Sequence, residues 1–204
     1  MIPKNLFFLW LGNKEPPENH KWVINTFKEI NPDFNVEFIR YTQKDIENSK
    51  DPILLDAIEN AYKDKTKLNK FGLYTTISDI YRFYIIRKYG GIYLDLDTFP
   101  YRPFSDGDLL NINHSVFLCT KRCEYNKEIV SSDIYYIGSP KFNDYKSKRP
   151  LCFLYSSQIV SEDEEFSKLK QKFMNSELKF GDRYSRADKN LYIEHFRLRS
   201  WKKS

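Results

Sequence analysis

The sequence predicts an α/β fold, and three observations carry that expectation. First, "NLFFLW" at 5–10 is a continuous apolar run closed by Gly12 and the Pro16-Pro17 pair, the pattern of a strand buried on both faces. Second, a helical stretch over 18–30 and an alternating run, "NVEFIRY" at 35–41, follow at once, so strands and helices alternate from the start. Third, 204 residues, 41% hydrophobic and 17% aromatic, suffice for one substantial core. No internal repeat or long linker divides the chain. The expectation is one α/β sandwich over 1–204 with a mostly parallel central sheet.

The elements follow in order. Trp22, Ile24, Phe27 and Ile30 are the apolar positions of the 18–30 helix, and "NPDF" interrupts it. In "DPILLDAIENAY" at 51–62, Asp51 is the expected N-cap and Pro52 the first helical residue. The helix through "SDIYRFYIIRKY" at 78–89 is expected to bury Ile77, Ile80, Tyr81, Tyr84 and Ile85 and to stop at Gly90. "IYLDLD" at 92–97 reads as the next strand, with further strands at "SVFLC" (115–119) and "IYYIG" (134–138). "SEDEEFSKLKQKF" opens on a Ser161/Glu164 capping box and is expected to bury Phe166, Leu169 and Phe173.

Composition excludes several classes. Fifteen Tyr and sixteen Phe against seven Gly argue against a disordered or low-complexity chain. No apolar run approaches the roughly 20 residues that cross a bilayer, and "MIPKNLFFLWLGNKEPP" has no small-residue cleavage site, so no signal peptide is expected. Cys119, Cys123 and Cys152 lack metal-ligand spacing and are expected to be reduced thiols of a cytoplasmic protein. The net charge of +5 comes from scattered Lys without a basic block; anionic small molecules suit it as well as nucleic acid does, and no nucleic-acid partner is expected.

Chemistry concentrates in "SDIYRFYIIRKYGGIYLDLD", 78–97. Read as a strand, 92–97 sends Ile92, Leu94 and Leu96 to one face and Tyr93, Asp95 and Asp97 to the other. Two carboxylates about 7 Å apart on one face repel each other unless a cation lies between them. A hard divalent ion suits oxygen ligands, and the carboxyl ends of strands are where open α/β sheets bind ligands. An isolated D-x-D is common by chance and is more often a solvated edge. Here Asp79 and Arg82 stand at i,i+3 on the preceding helix, where Arg82 can grip phosphate or sugar hydroxyls and Asp79 can accept from a sugar; the plain alternative is a surface ion pair.

This stretch resembles the S-D-x-x-R…G-G-x-Y-x-D-x-D signature of glycosyltransferases with a DXD-containing sugar-binding region. That group is glycosyltransferase family 32, with the large clostridial glucosylating toxins as distant relatives. "IPKNLFFLWLG" is similar to the group's first strand and "YIEHFRLRSWKKS" to its closing H-x-x-x-x-S-W, whereas 105–185 matches loosely and is shorter than usual. The resemblance implies a Rossmann-like GT-A fold, with 1–100 binding the nucleotide sugar and 101–204 supplying the acceptor side and a metal-binding tail.

It also implies roles. Asp97 would bind manganese (or magnesium) directly, and Asp95 would reach it through water or hold the ribose. Ser78, Asp79 and Arg82 would hold the donor sugar and phosphates, with Tyr93 packed beside them. Leu9 and Trp10 would form the base platform, Trp10 stacking on the base. His195 would be a third metal ligand. Ser200, Trp201 and Lys202 would belong to the cofactor-binding set, and Arg199 and Lys202 would contact the diphosphate, although a solvated basic tail is the plain alternative for these two. Asp133 is an acceptor-side candidate whose ordinary role is turn chemistry. His20 and His114 are read as structural.

The implied reaction moves a hexose from a UDP-sugar, UDP-glucose favoured, to a surface glycan or glycoprotein with retention, and no nucleophile is assigned. A non-catalytic glycan- or nucleotide-binding module and another sugar-nucleotide enzyme, such as a hydrolase, stay open. The latter would ordinarily carry a Gly-rich phosphate loop, and the sequence has none.

Overall fold

A computed structural model describes residues 3–65, 68–69, 72–104, 134–138, 153–155, 164–183, 193–196 and 198. In chain order the elements are β1 (Asn5–Leu11), α1 (Glu18–Ile30), β2 (Asn35–Tyr41), α2 (Gln43–Glu47), α3 (Pro52–Lys63), α4 (Leu73–Tyr89), β3 (Gly91–Tyr93), β4 (Thr98–Pro100), β5 (Ile134–Gly138), β6 (Phe153–Tyr155), α5 (Glu164–Met174) and β7 (Ile193–His195). The main sheet has the order β2-β1-β3-β5-β6. β2, β1 and β3 run parallel, while β5 and β6 extend the sheet in antiparallel fashion. β4 and β7 form a separate antiparallel pair.

Side-chain alternation along β1 divides the core in two. Leu6 and Phe8 join α1, α5 and Ile92, Leu94 and Leu96 on one face. Phe7 and Leu9 join Ile53, Leu54 and Ala57 of α3 and Ile77, Tyr81, Tyr84 and Ile85 of α4 on the other. Helices therefore cover both faces of the sheet, the layered α/β arrangement that the sequence predicts.

The local rules hold where they are strong. Asp51 caps α3, accepting from the Ile53 N–H at 2.9 Å, with Pro52 as the first helical residue. Thr42 and Asp45 form a reciprocal capping box on α2, a short helix absent from the sequence-based expectation. α4 begins at Leu73, ahead of the expected start, and Gly90 ends it at φ +70. Gly91 has φ +113, and a Cβ there would lie 2.5 Å from the Asn5 carbonyl oxygen; only glycine lets β3 lie this close to β1. The 115–119 strand and Ser161 of the expected capping box lie outside the described residues. Among the described residues, no helix is long and apolar enough to cross a membrane.

One expectation is corrected. The 92–97 segment is not one strand: β3 ends at Tyr93, and Leu96-Asp97 forms a turn. The Leu94 N–H still donates to the Phe7 carbonyl at 3.0 Å. Beyond it, the Thr98 hydroxyl donates to the Asp95 carbonyl at 2.8 Å and closes the turn. Asp and Thr favour such local bonds over a ladder. The apolar side of the expected alternation survives, since Ile92, Leu94 and Leu96 all enter the α1-side core and Tyr93 enters the other.

Candidate active site

The turn after β3 carries Asp95 and Asp97 at the carboxyl end of a parallel strand, at a place where β3 has a parallel neighbour on one side and an antiparallel one on the other. α4 runs into β3 through Gly90-Gly91, so its acidic and basic groups meet the turn. Arg82 Nη2 lies 2.5 Å from Asp79 Oδ1, and Arg82 Nη1 lies 3.6 Å from Asp95 Oδ1. Arg82 Nε–H donates to the Ser78 carbonyl at 3.3 Å, and the guanidinium sits 5.4 Å from the Tyr93 ring centroid. The Arg82 side chain is only 10% exposed and that of Asp95 22%. A charge this sheltered is held by its partners, so the two carboxylates fix the guanidinium in one pose.

Tyr93 is fully buried, and burial, with Asp95 adding to it, pushes its phenol well above the ordinary range. Its hydroxyl hydrogen-bonds Ser78. Tyr93 therefore acts as a neutral wall beneath Arg82.

Asp97 is 9% exposed and is held by the distant C-terminal segment. The Leu198 N–H donates to Asp97 Oδ2 at 2.8 Å, and the Phe196 N–H donates to the Asp97 carbonyl at 2.9 Å. β7 places His195 opposite Thr98, one residue beyond Asp97. Phe196 anchors that segment, its ring 4.5 Å from Phe173 of α5.

The loop from β1 to α1 forms the other side. Trp10 is half-buried, donates from Nε1 to the Lys14 carbonyl at 2.7 Å, and meets His20 edge-on at 5.5 Å. Leu9 lies in the α3/α4 core while Trp10 packs against the α1 core, so their side chains leave β1 on opposite faces. His20 is 1% exposed, and among the described residues neither ring nitrogen has a hydrogen-bond partner. Burial holds its pKa below the ordinary value, with the Asp97 charge pulling the other way. The imidazole is therefore neutral.

The structure thus brings Ser78, Asp79, Arg82, Tyr93 and Asp95 into one cluster and joins Asp97 to the tail. Asp133, His114, Arg199, Ser200, Trp201 and Lys202 lie outside the described residues. Sequence reading missed the Leu198 amide, because a backbone donor leaves no side-chain signal. His20, read from the sequence as structural, lies buried in the first turn of α1 against Trp10. Among the described residues, no group of three His, Cys, Asp or Glu side chains could hold a metal ion. Asp95 and Asp97 nevertheless fit a magnesium- or manganese-like ion, which typically takes one or two carboxylates and completes its shell with water and substrate phosphates.

The family described as "Glycosyltransferase sugar-binding region containing DXD motif" matches residues 17–117. Among solved structures, one titled "PaToxG Glycosyltransferase" is 21% identical, covering 51% of this chain and 45% of that one, with a TM-score of 0.39. The UDP-bound glycosyltransferase domain of the YGT toxin is 13% identical over 49% of this chain and 40% of that one, TM-score 0.36. The catalytic domain of alpha-toxin from Clostridium novyi is 16% identical over 48% and 36%, TM-score 0.31. The chain spans less than half the length of these structures. No curated protein matches it.

Proposed function

We propose that this chain, whose residues 17–117 match the family described as glycosyltransferase sugar-binding region containing DXD motif, is a metal-dependent glycosyltransferase of GT-A type. It moves a hexose from a UDP-sugar, UDP-glucose favoured, to a glycan or glycoprotein acceptor with retention. The observation that carries the reading is the placement of Asp95 and Asp97 in one sheltered turn at the carboxyl end of β3, with Arg82 beside Asp95.

Sugar transfer passes through an oxocarbenium-like state as the diphosphate departs. Asp97 directly, Asp95, and His195 as third ligand would hold manganese or magnesium, which would supply positive charge to offset the leaving group. Arg82 presents a planar fork to the phosphates and sugar, and Asp79 holds that fork in place. Ser78 holds the donor sugar, and buried Tyr93 supports Arg82 from beneath. Trp10 would stack on the base, Ser200, Trp201 and Lys202 of the tail would belong to the donor-binding set, and Arg199 and Lys202 would contact the diphosphate. Asp133 is the candidate for contact with the acceptor or the sugar.

UDP release from UDP-glucose by the purified chain tests this. Turnover should require manganese or magnesium and fall by at least 100-fold in Asp97→Asn, on the order of 3 kcal/mol of barrier. Full metal-dependent turnover in that variant would remove Asp97 from the site. Donor binding that ignores the metal would favour a non-catalytic module.

A further inference from the structure

We propose that the backbone N–H of Leu198 is a positioning donor for this site, holding the Asp97 carboxylate in the orientation that receives the cation. The inference rests on the reading of Asp97 as a cation ligand. Its basis is the pair of bonds from a segment about a hundred residues away: Leu198 N–H to Oδ2 at 2.8 Å and Phe196 N–H to the Asp97 carbonyl at 2.9 Å.

The two bonds have different work. The Phe196 bond joins backbone to backbone and continues the β4–β7 register of Thr98 with His195. Fully buried Phe196 anchors it, packed on Phe173 and stacked with Phe166 at 6.0 Å. Two residues later the same segment delivers the Leu198 N–H to the side chain. A carboxylate can rotate about its terminal torsion; a charge-assisted N–H···O bond removes that freedom. With Asp97 only 9% exposed, water is a poor substitute for the lost donor. Ligands fixed in this way by outer contacts hold metals more tightly than mobile ones. The donor is a peptide group, so its effect does not depend on the side chain at 198.

The test is calorimetric titration of the full chain with MnCl2, comparing wild type, Leu198→Ala, Leu198→Pro and Asp97→Asn. The Ala variant keeps the N–H and loses the side chain; the Pro variant removes the N–H. The Pro variant should bind manganese about tenfold more weakly than the Ala variant, the scale of one charge-assisted hydrogen bond. Equal affinities in these two overturn the positioning role. Should the Pro variant fail to fold, amide exchange decides: Leu198 N–H should exchange at least tenfold faster in Asp97→Ala than in wild type, and equal rates overturn the proposal. Wild type that binds no manganese, or Asp97→Asn that binds it unchanged, instead overturns the reading of Asp97 as a cation ligand.

Discussion

Replacing Gly91 by alanine should damage both the fold and the site, and the structure sets the scale. The new Cβ would stand 2.5 Å from the Asn5 carbonyl oxygen and 2.8 Å from the Asn5 Cβ, at φ +113. Reaching ordinary van der Waals distance needs about 0.9 Å of separation between β1 and β3. Overpacking costs about 1–3 kcal/mol, and the backbone conformation about 1–3 more. Together these amount to a loss of about 4 kcal/mol, read as a shifted midpoint in urea at unchanged slope. Gly72→Ala is the matched control: its φ is +82, but a Cβ would meet nothing within 4 Å. Strain alone should cost it about 1–2 kcal/mol. Because β3 leads straight into the Asp95 turn, a shift near 1 Å should also lower turnover about 100-fold. A stability difference below about 1 kcal/mol between the two variants would refute the steric argument. Wild-type turnover in Gly91→Ala would refute the link from strand to site.

Four further outcomes follow from the same physics. Arg82→Lys should reduce turnover at least tenfold with little change in melting temperature, because an ammonium keeps the charge near Asp79 but not the fork; equal losses of activity and stability would make Arg82 structural. Asp51→Ala should cost about 2–4 kcal/mol in urea, through the lost cap and the lost acceptor of the Tyr41 hydroxyl, which donates to Asp51 at 2.5 Å and is left with only the 3.5 Å contact to the Tyr81 hydroxyl. Two pH effects also have definite signs. Burial lowers the pKa of His20, so its neutral form is favoured in the fold, and stability present above the ordinary value of 6.5 should be lost as pH falls below it. His20→Gln should flatten the fall in melting temperature between pH 7 and 5, and an unchanged slope would refute this. Burial and Asp51 push Tyr41 up to about 12, so its contribution is whole below pH 10 and should be lost as pH rises toward 12; Tyr41→Phe should lack that loss.

Most of the frame was legible because its signals are local. The apolar run of β1, the Asp51-Pro52 helix start and the Gly90 stop each specify a conformation within a few residues, and each element forms where expected. The i,i+3 spacing likewise placed Asp79 on Arg82. The failures are tertiary. Alternation in "IYLDLD" correctly grouped Ile92, Leu94 and Leu96 in one core, but did not show that Tyr93 and Asp97 are buried too or that the ladder ends at Tyr93, since turn bonds from Thr98 compete with it. Leu9 and Trp10 are neighbours in sequence, yet β1 sends them to opposite faces. The pairing of β4 with β7 joins residues nearly a hundred positions apart through three-residue strands, too short for any periodic signal.

The most direct test of the account is a crystal of this chain grown with manganese and UDP, read by anomalous scattering at the manganese edge. The account predicts one strong peak within ligand distance of an Asp97 carboxylate oxygen, about 2.2 Å, close to Asp95 and touching the diphosphate. A nucleotide bound elsewhere, or a manganese peak away from the turn after β3, would contradict it.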